Sequence, residues 1–176
     1  LISICGACMM YHTEYADNGM QKMSVLPIRQ GNLFFSKFVI AALVLSAMVV
    51  IEMAVLVGCA KYWFPGYIFD LTEILKTAGF QIVVSLPTVM LMLVIASACK
   101  NMWVSLGIGV ILVFTLSIFP QDNTVLSLFP FASPYQTLAG AIENSRTALF
   151  SVVCGIETVV FGIAEVLYWK VRRCFE

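Results

Sequence analysis

Three carboxylic acids, Glu52, Glu157 and Glu165, lie inside runs of residues that are otherwise almost wholly apolar. A carboxylate at the middle of a membrane span costs roughly 2.5 to 3.5 kcal/mol even on lenient insertion scales, so each needs a reason to be there. At 1.5 Å per residue, Glu52 stands about 21 Å from the inner end of its run and Glu157 about 15 Å from the outer end of its own, depths at which the two could meet. No basic side chain shares those depths, which leaves protonation, hydrogen bonding or a wetted cavity to accommodate them. Such acids can line a path for a cationic peptide or relay protons. The structural alternative is hydrogen bonding between helices or, for Glu165, reach from a span end to the interface.

Other chemistry is thinly represented. Cys5 and Cys8 form a C-x-x-C, but no second pair follows, and the lone His12 does not complete a four-ligand zinc site. A single His also falls short of the ligands of an intramembrane metalloprotease, and no Ser stands in a G-x-S-x-G setting. No G-x-x-x-x-G-K-[ST] phosphate loop occurs either, so the 176 residues carry no means of hydrolysing ATP.

The elements that must position the acids are membrane spans. Hydrophobic residues make up 61% of the sequence and charged residues 11%, with a mean hydropathy of +0.96; soluble domains are nearer half apolar. Zero formal charge removes the basic field that nucleic acid would require. A span takes about 20 mostly apolar residues to cross about 30 Å of hydrocarbon. The runs 38–60, 77–99, 102–119 and 147–169 qualify, and the opening LISICGACMMY, residues 1–11, reads as the end of a span that begins upstream. The expected fold is an all-α polytopic membrane protein. In the last run Gly155, Thr158, Gly162 and Glu165 share a stripe suited to close helix approach, as do Gly107, Gly109 and Ala96 to Ala98 in others, while Pro87 should kink its helix.

Orientation follows from Lys and Arg, which favour the cytoplasmic side. Placing residues 12–37 inside puts Lys22, Arg29, Lys37, Lys100, Lys170, Arg172 and Arg173 there, with the tail 170–176, and leaves Lys61, Lys76 and Arg146 outside. The KYWFPGY turn then anchors the outer interface. The outer segment 120–146 is too apolar for a solvated loop and too broken by Pro120, Pro130 and Pro134 for a span. It is either a re-entrant element or a surface amphipathic loop. Within it, Ser133-Pro134 predicts a cap and a helix from about Pro134 to Ile142.

The inner segment, 12–33, contains EYADNGMQKMSVLP. Asn18 suits an N-cap, Gln21 follows three residues later, and Pro27 biases Leu26 out of helix, which predicts about two helical turns. Met20, Met23 and Leu26 share one face. So short a helix is stable only when docked, on lipid headgroups or on a cytoplasmic partner.

The order Glu14-Tyr15, Gly19, Leu26-Pro27, Ser36-Lys37 resembles the ABC-2 type transporter permeases, whose membrane domain is of the type V exporter-like kind. EYADNGMQKMSVLPIRQGNLFFSK is similar, more narrowly, to the permeases of lantibiotic-protection exporters. One departure is Met20 after the motif Gly19, where many relatives carry Thr in or beside the Gly position. The resemblance implies six spans, the first and most of the second lying upstream of Leu1. It also implies that the short inner helix is a coupling helix, with Glu14, Gly19, Met20, Met23, Leu26 and Pro27 addressing a separate ATP-binding subunit that holds ATP and Mg. Two permeases, identical or homologous, would pair with two ATPases in a bacterial cell membrane, and nucleotide-driven closure would rock the spans. Two other classes stay open on the residues alone: a proton-coupled carrier, which an internal repeat would favour and none is evident, and a membrane anchor or sensor.

Overall fold

A computed structural model describes residues 1–16, 30–64, 70–99, 101–118, 124–143 and 146–175. In chain order these form helices α1 (Ile2–Ala16), α2 (Gln30–Trp63), α3 (Leu71–Ala98), α4 (Met102–Ser117) and α5 (Thr124–Ser127), a 3-10 turn (Ser133–Tyr135), α6 (Leu138–Glu143) and α7 (Thr147–Phe175). Hydrocarbon offers no partner to an open backbone group, so continuous helix is the only way these runs can cross it. Hydroxyls within the spans are satisfied the same way: Ser46, Ser85, Ser151 and Thr158 each donate to the carbonyl four residues earlier. Asp70 caps α3 by accepting the Thr72 N–H at 2.9 Å, which holds its carboxyl below the usual range. That cap acts above the ordinary carboxylate range and fades as pH falls through the depressed value. Asn101 caps α4 in the same manner.

Among the described residues, three helices are long and apolar enough to cross a membrane: Gly31–Trp63, Leu71–Ala98 and Thr147–Tyr168. The run 102–119, expected to be a fourth, forms only the 16-residue α4, about 24 Å long. The apolar run 38–60 lies inside α2, which begins about two turns earlier, at Gln30.

α3 is the hub. Over half of its apolar window, 56%, is buried inside the chain, against 11% for α2 and α7. One core joins Ile4, Ala7, Cys8 and Tyr11 of α1 to Val89, Met92, Leu93 and Ala96 of α3 and Leu116 of α4. A second joins Phe80 and Val84 to Ala141, Phe150 and Cys154. Of the small residues marked out by spacing, Gly109 makes the tightest approach: a Cβ there would stand 2.7 Å from Ile4 Cγ2 and 2.8 Å from Met92 Sδ. Gly109→Ala is therefore expected to destabilise the bundle by about 1–3 kcal/mol, read as a lowered thermal midpoint in detergent, whereas Gly107→Ala, with open space at the same point, should change little. Gly162 also packs, on Met90. Gly155 has nothing within 4 Å, so it does not serve helix packing within this chain.

The outer segment is seated on α3. Ser133 is fully buried, and its hydroxyl donates to the carbonyls of Val84 at 2.9 Å and Pro130 at 3.2 Å. Gln81 donates to the Pro134 carbonyl at 2.9 Å, and Thr88 donates to that of Pro130. Thr88 stands midway along the apolar run 77–99, so the Pro130 carbonyl is satisfied by α3 at that level. The helix expected from Pro134 to Ile142 is split instead. Ser133 spends its hydroxyl on α3 rather than on a cap, the turn Ser133–Tyr135 ends there, and Thr137 begins α6 by accepting the Gly140 N–H at 3.3 Å. Pro87 is accommodated within an uninterrupted α3.

Candidate functional site

Tyr11, Glu14 and Tyr15 fall at i, i+3 and i+4 and so share one face at the end of α1. That face meets α2 and α3 directly and is linked to α7 through Ser97. Lys37 of α2 donates to Glu14 Oε2 at 2.5 Å and sits 3.6 Å from the centroid of the Tyr11 ring. Tyr15 donates its hydroxyl to the Ser97 carbonyl of α3 at 2.6 Å. The Ser97 hydroxyl donates to Glu165 Oε1 of α7 and to the Val94 carbonyl at 2.9 Å. Four helices are thereby joined by polar contacts at one end of the bundle.

The network is drawn out of solvent. Tyr11 is 3% exposed, Ser97 is fully buried and Glu165 is 1% exposed, while the Glu14 and Lys37 side chains retain 18% and 14%. An ion pair that far from water gains from a lowered dielectric only if both partners stay in place, and the aromatic face beneath Lys37 adds a cation–π contact. Glu14 and Lys37 also flank residues 17–29, fastening together the helix that leads into that stretch and the one that leads out.

The acids marked out by the sequence go to three different places. Glu165 was expected either on a transport path or reaching an interface; it does not reach out, but is enclosed on the α3-facing side of α7 and bonded to Ser97. Glu157 is half-buried, with one carboxylate oxygen enclosed and without a hydrogen-bond partner among the described residues. Glu52 is exposed on α2 among Val50, Ile51, Val55 and Leu56. Neither a hydrogen bond nor an ion pair joins Glu52 to Glu157 among the described residues, although their similar depths allowed a meeting. Gly19, Met20, Met23, Leu26 and Pro27 lie outside the described residues. Tyr11 and Ser97 went unremarked in the sequence; for Tyr11 the signal was its spacing to Glu14 and Tyr15, whereas Ser97 is one hydroxyl among many.

A family model described as ABC-2 family transporter protein matches residues 1–116. The chain belongs to the ABC-2 transporter family. The matched part of this ABC-2 protein contains Tyr11, Glu14, Tyr15, Lys37 and Ser97, and Glu165 is contributed from beyond it. No curated protein and no solved structure matches the chain. Membership makes this ABC-2 chain the transmembrane, multi-pass component of an ABC transporter, a class in which an ATPase partner accompanies the permease.

Proposed function

We propose that the chain is the membrane subunit of an ATP-driven exporter in a bacterial cell membrane, and that segment 17–29 takes up work from a separate ATP-binding subunit. The observation that carries this reading is the Lys37–Glu14 pair. Because it fastens the two stems of the segment, a displacement of the segment is delivered to α1 and α2 together. From α1 the Tyr15–Ser97 bond passes it to α3, and Ser97 passes it to α7 through Glu165. A network of this kind converts movement at one end into helix repacking because packed interfaces prefer discrete arrangements.

The similarity to lantibiotic-protection permeases favours an antimicrobial peptide or another hydrophobic compound as cargo, with two permeases and two ATPases per assembly and with ATP and Mg on the partner. Residues 12–30 and 170–176 face the cytoplasm in this reading, following the distribution of Lys and Arg, with the inner boundary expected at Lys37 moved to the start of the apolar helix Gly31–Trp63. Glu52 and Glu157 are assigned to the transport path.

Co-purification tests the proposal. The protein, coexpressed with an ATP-binding subunit from the same cell, is expected to retain that subunit through affinity purification. The variant Met23→Asp/Leu26→Asp is expected to lose it by more than about tenfold, since each change puts a charge on an apolar docking face. Transport on an ion gradient by the permease reconstituted alone would overturn the reading.

A further inference from the structure

We propose that a groove between α2 and α7 holds one acyl chain of an anionic phospholipid, with the headgroup at the basic residues that follow the apolar part of α7. The groove has a volume of about 420 Å3 and is lined by Phe34, Phe35 and Phe38 of α2, Met90 of α3, and Val159 and Ile163 of α7. Along α7 it extends from Thr158 to Leu167, about 14 Å at 1.5 Å per residue. That is close to half of a hydrocarbon thickness of about 30 Å, the depth of a single leaflet. Glycines keep it open: Gly31 faces Val166 across its mouth, and Gly162 lets the Met90 side chain lie against α7.

An apolar groove alone admits many occupants; charge selects among them. The apolar part of α7 ends at Tyr168, and the helix continues to Phe175. Residues 165–176 contain Lys170, Arg172 and Arg173 against two acids, Glu165, which is enclosed against Ser97, and Glu176, which leaves a net positive charge. The register Ile163, Val166, Lys170, Arg173 advances by three and four residues, so positions 170 and 173 continue the stripe that borders the groove. They fall just past the apolar part of the span, at headgroup level. Each basic residue there strengthens attraction to an anionic headgroup roughly fivefold. A neutral compound or a second apolar protein surface would make no use of them. None of Glu14, Lys37, Ser97 and Glu165 lines the groove, and lipid retention is measured apart from transport, so the site stands or falls apart from the proposed function.

The test uses the full-length protein with its ATPase, reconstituted into phosphatidylcholine vesicles containing a minority of phosphatidylglycerol, extracted gently, and weighed by native mass spectrometry. Wild type is expected to retain phosphatidylglycerol well above its share of the bilayer. Lys170→Gln/Arg173→Gln should cut that excess by about tenfold or more. Gly31→Leu, whose Cβ would stand at an ordinary 3.6 Å from Val166, should fill the groove and lower retention of both lipids. Ile163→Phe fills it from the other side if Gly31→Leu does not give a monodisperse protein on gel filtration. Retention in proportion to bilayer composition, or an excess unchanged by the charge variant or by a folded filling variant, would overturn the proposal. So would crosslinking of a Val159→Cys variant to another polypeptide segment in good yield, which would mean that protein fills the groove.

Discussion

Lys37→Met is expected to destabilise the protein by about 2–4 kcal/mol and to uncouple ATP hydrolysis from transport. Removing one partner of an enclosed ion pair leaves the other charge in a site built around its neutraliser, and such losses reach about 3–5 kcal/mol when burial is complete. Glu14 and Lys37 retain 18% and 14% side-chain exposure, which moves the expectation toward the lower half of that range. Loss of the contact between the ammonium and the Tyr11 ring contributes about 0.5–1 kcal/mol of it. The double variant Glu14→Gln/Lys37→Met removes both charges and should recover most of the stability, because two neutral groups bear no comparable desolvation cost. Transport should stay low in the double variant, since the stems are no longer fastened. Thermal unfolding in detergent and transport by proteoliposomes containing the ATPase measure the two quantities. A single variant as stable and active as wild type would show that the pair holds nothing together.

Glu165→Ala is expected to cost about 2–3 kcal/mol, whereas Glu165→Gln should cost less than about 1 kcal/mol. The carboxyl is 1% exposed and accepts from Ser97, so truncation opens a cavity and deletes an acceptor at once. Gln fills the same volume and offers a carbonyl to the same hydroxyl. Ser97 also has the Val94 carbonyl available, which limits the hydrogen-bond share of the loss and leaves the cavity as the larger part. Equal losses for Ala and Gln in a denaturant titration would mean that the negative charge, not the packed acceptor, is what the site requires.

The resemblance to the ABC-2 permeases made part of this site visible. Glu14-Tyr15 and Ser36-Lys37 stood out as members of one ordered pattern, yet nothing in their spacing says that Glu14 and Lys37 bond across 23 positions. Glu165 was visible as an expensive acid, but whether it reaches an interface or turns inward depends on which face of α7 meets α3. The split of the expected helix at Pro134 to Ile142 has a similar origin. Ser133-Pro134 is a sound local cap signal, and the Val84 carbonyl of a different helix claimed the hydroxyl.

Length, apolar runs and the scarcity of charge were enough by themselves to make this a polytopic helical membrane protein, because a bilayer leaves a backbone no other choice over such runs. Which helix becomes the hub was beyond their reach. α2, α3 and α7 are all apolar enough to span, yet α3 is buried over 56% of its window and the other two over 11%. In water, a helix shows its inward face by confining apolar residues to it; in lipid every face is apolar, and the choice of neighbours passes to shape and to a few hydrogen bonds. Those contacts, Gly109 against Ile4, Ser133 on Val84, Tyr15 on Ser97 and Lys37 on Glu14, exist only once the helices have come together.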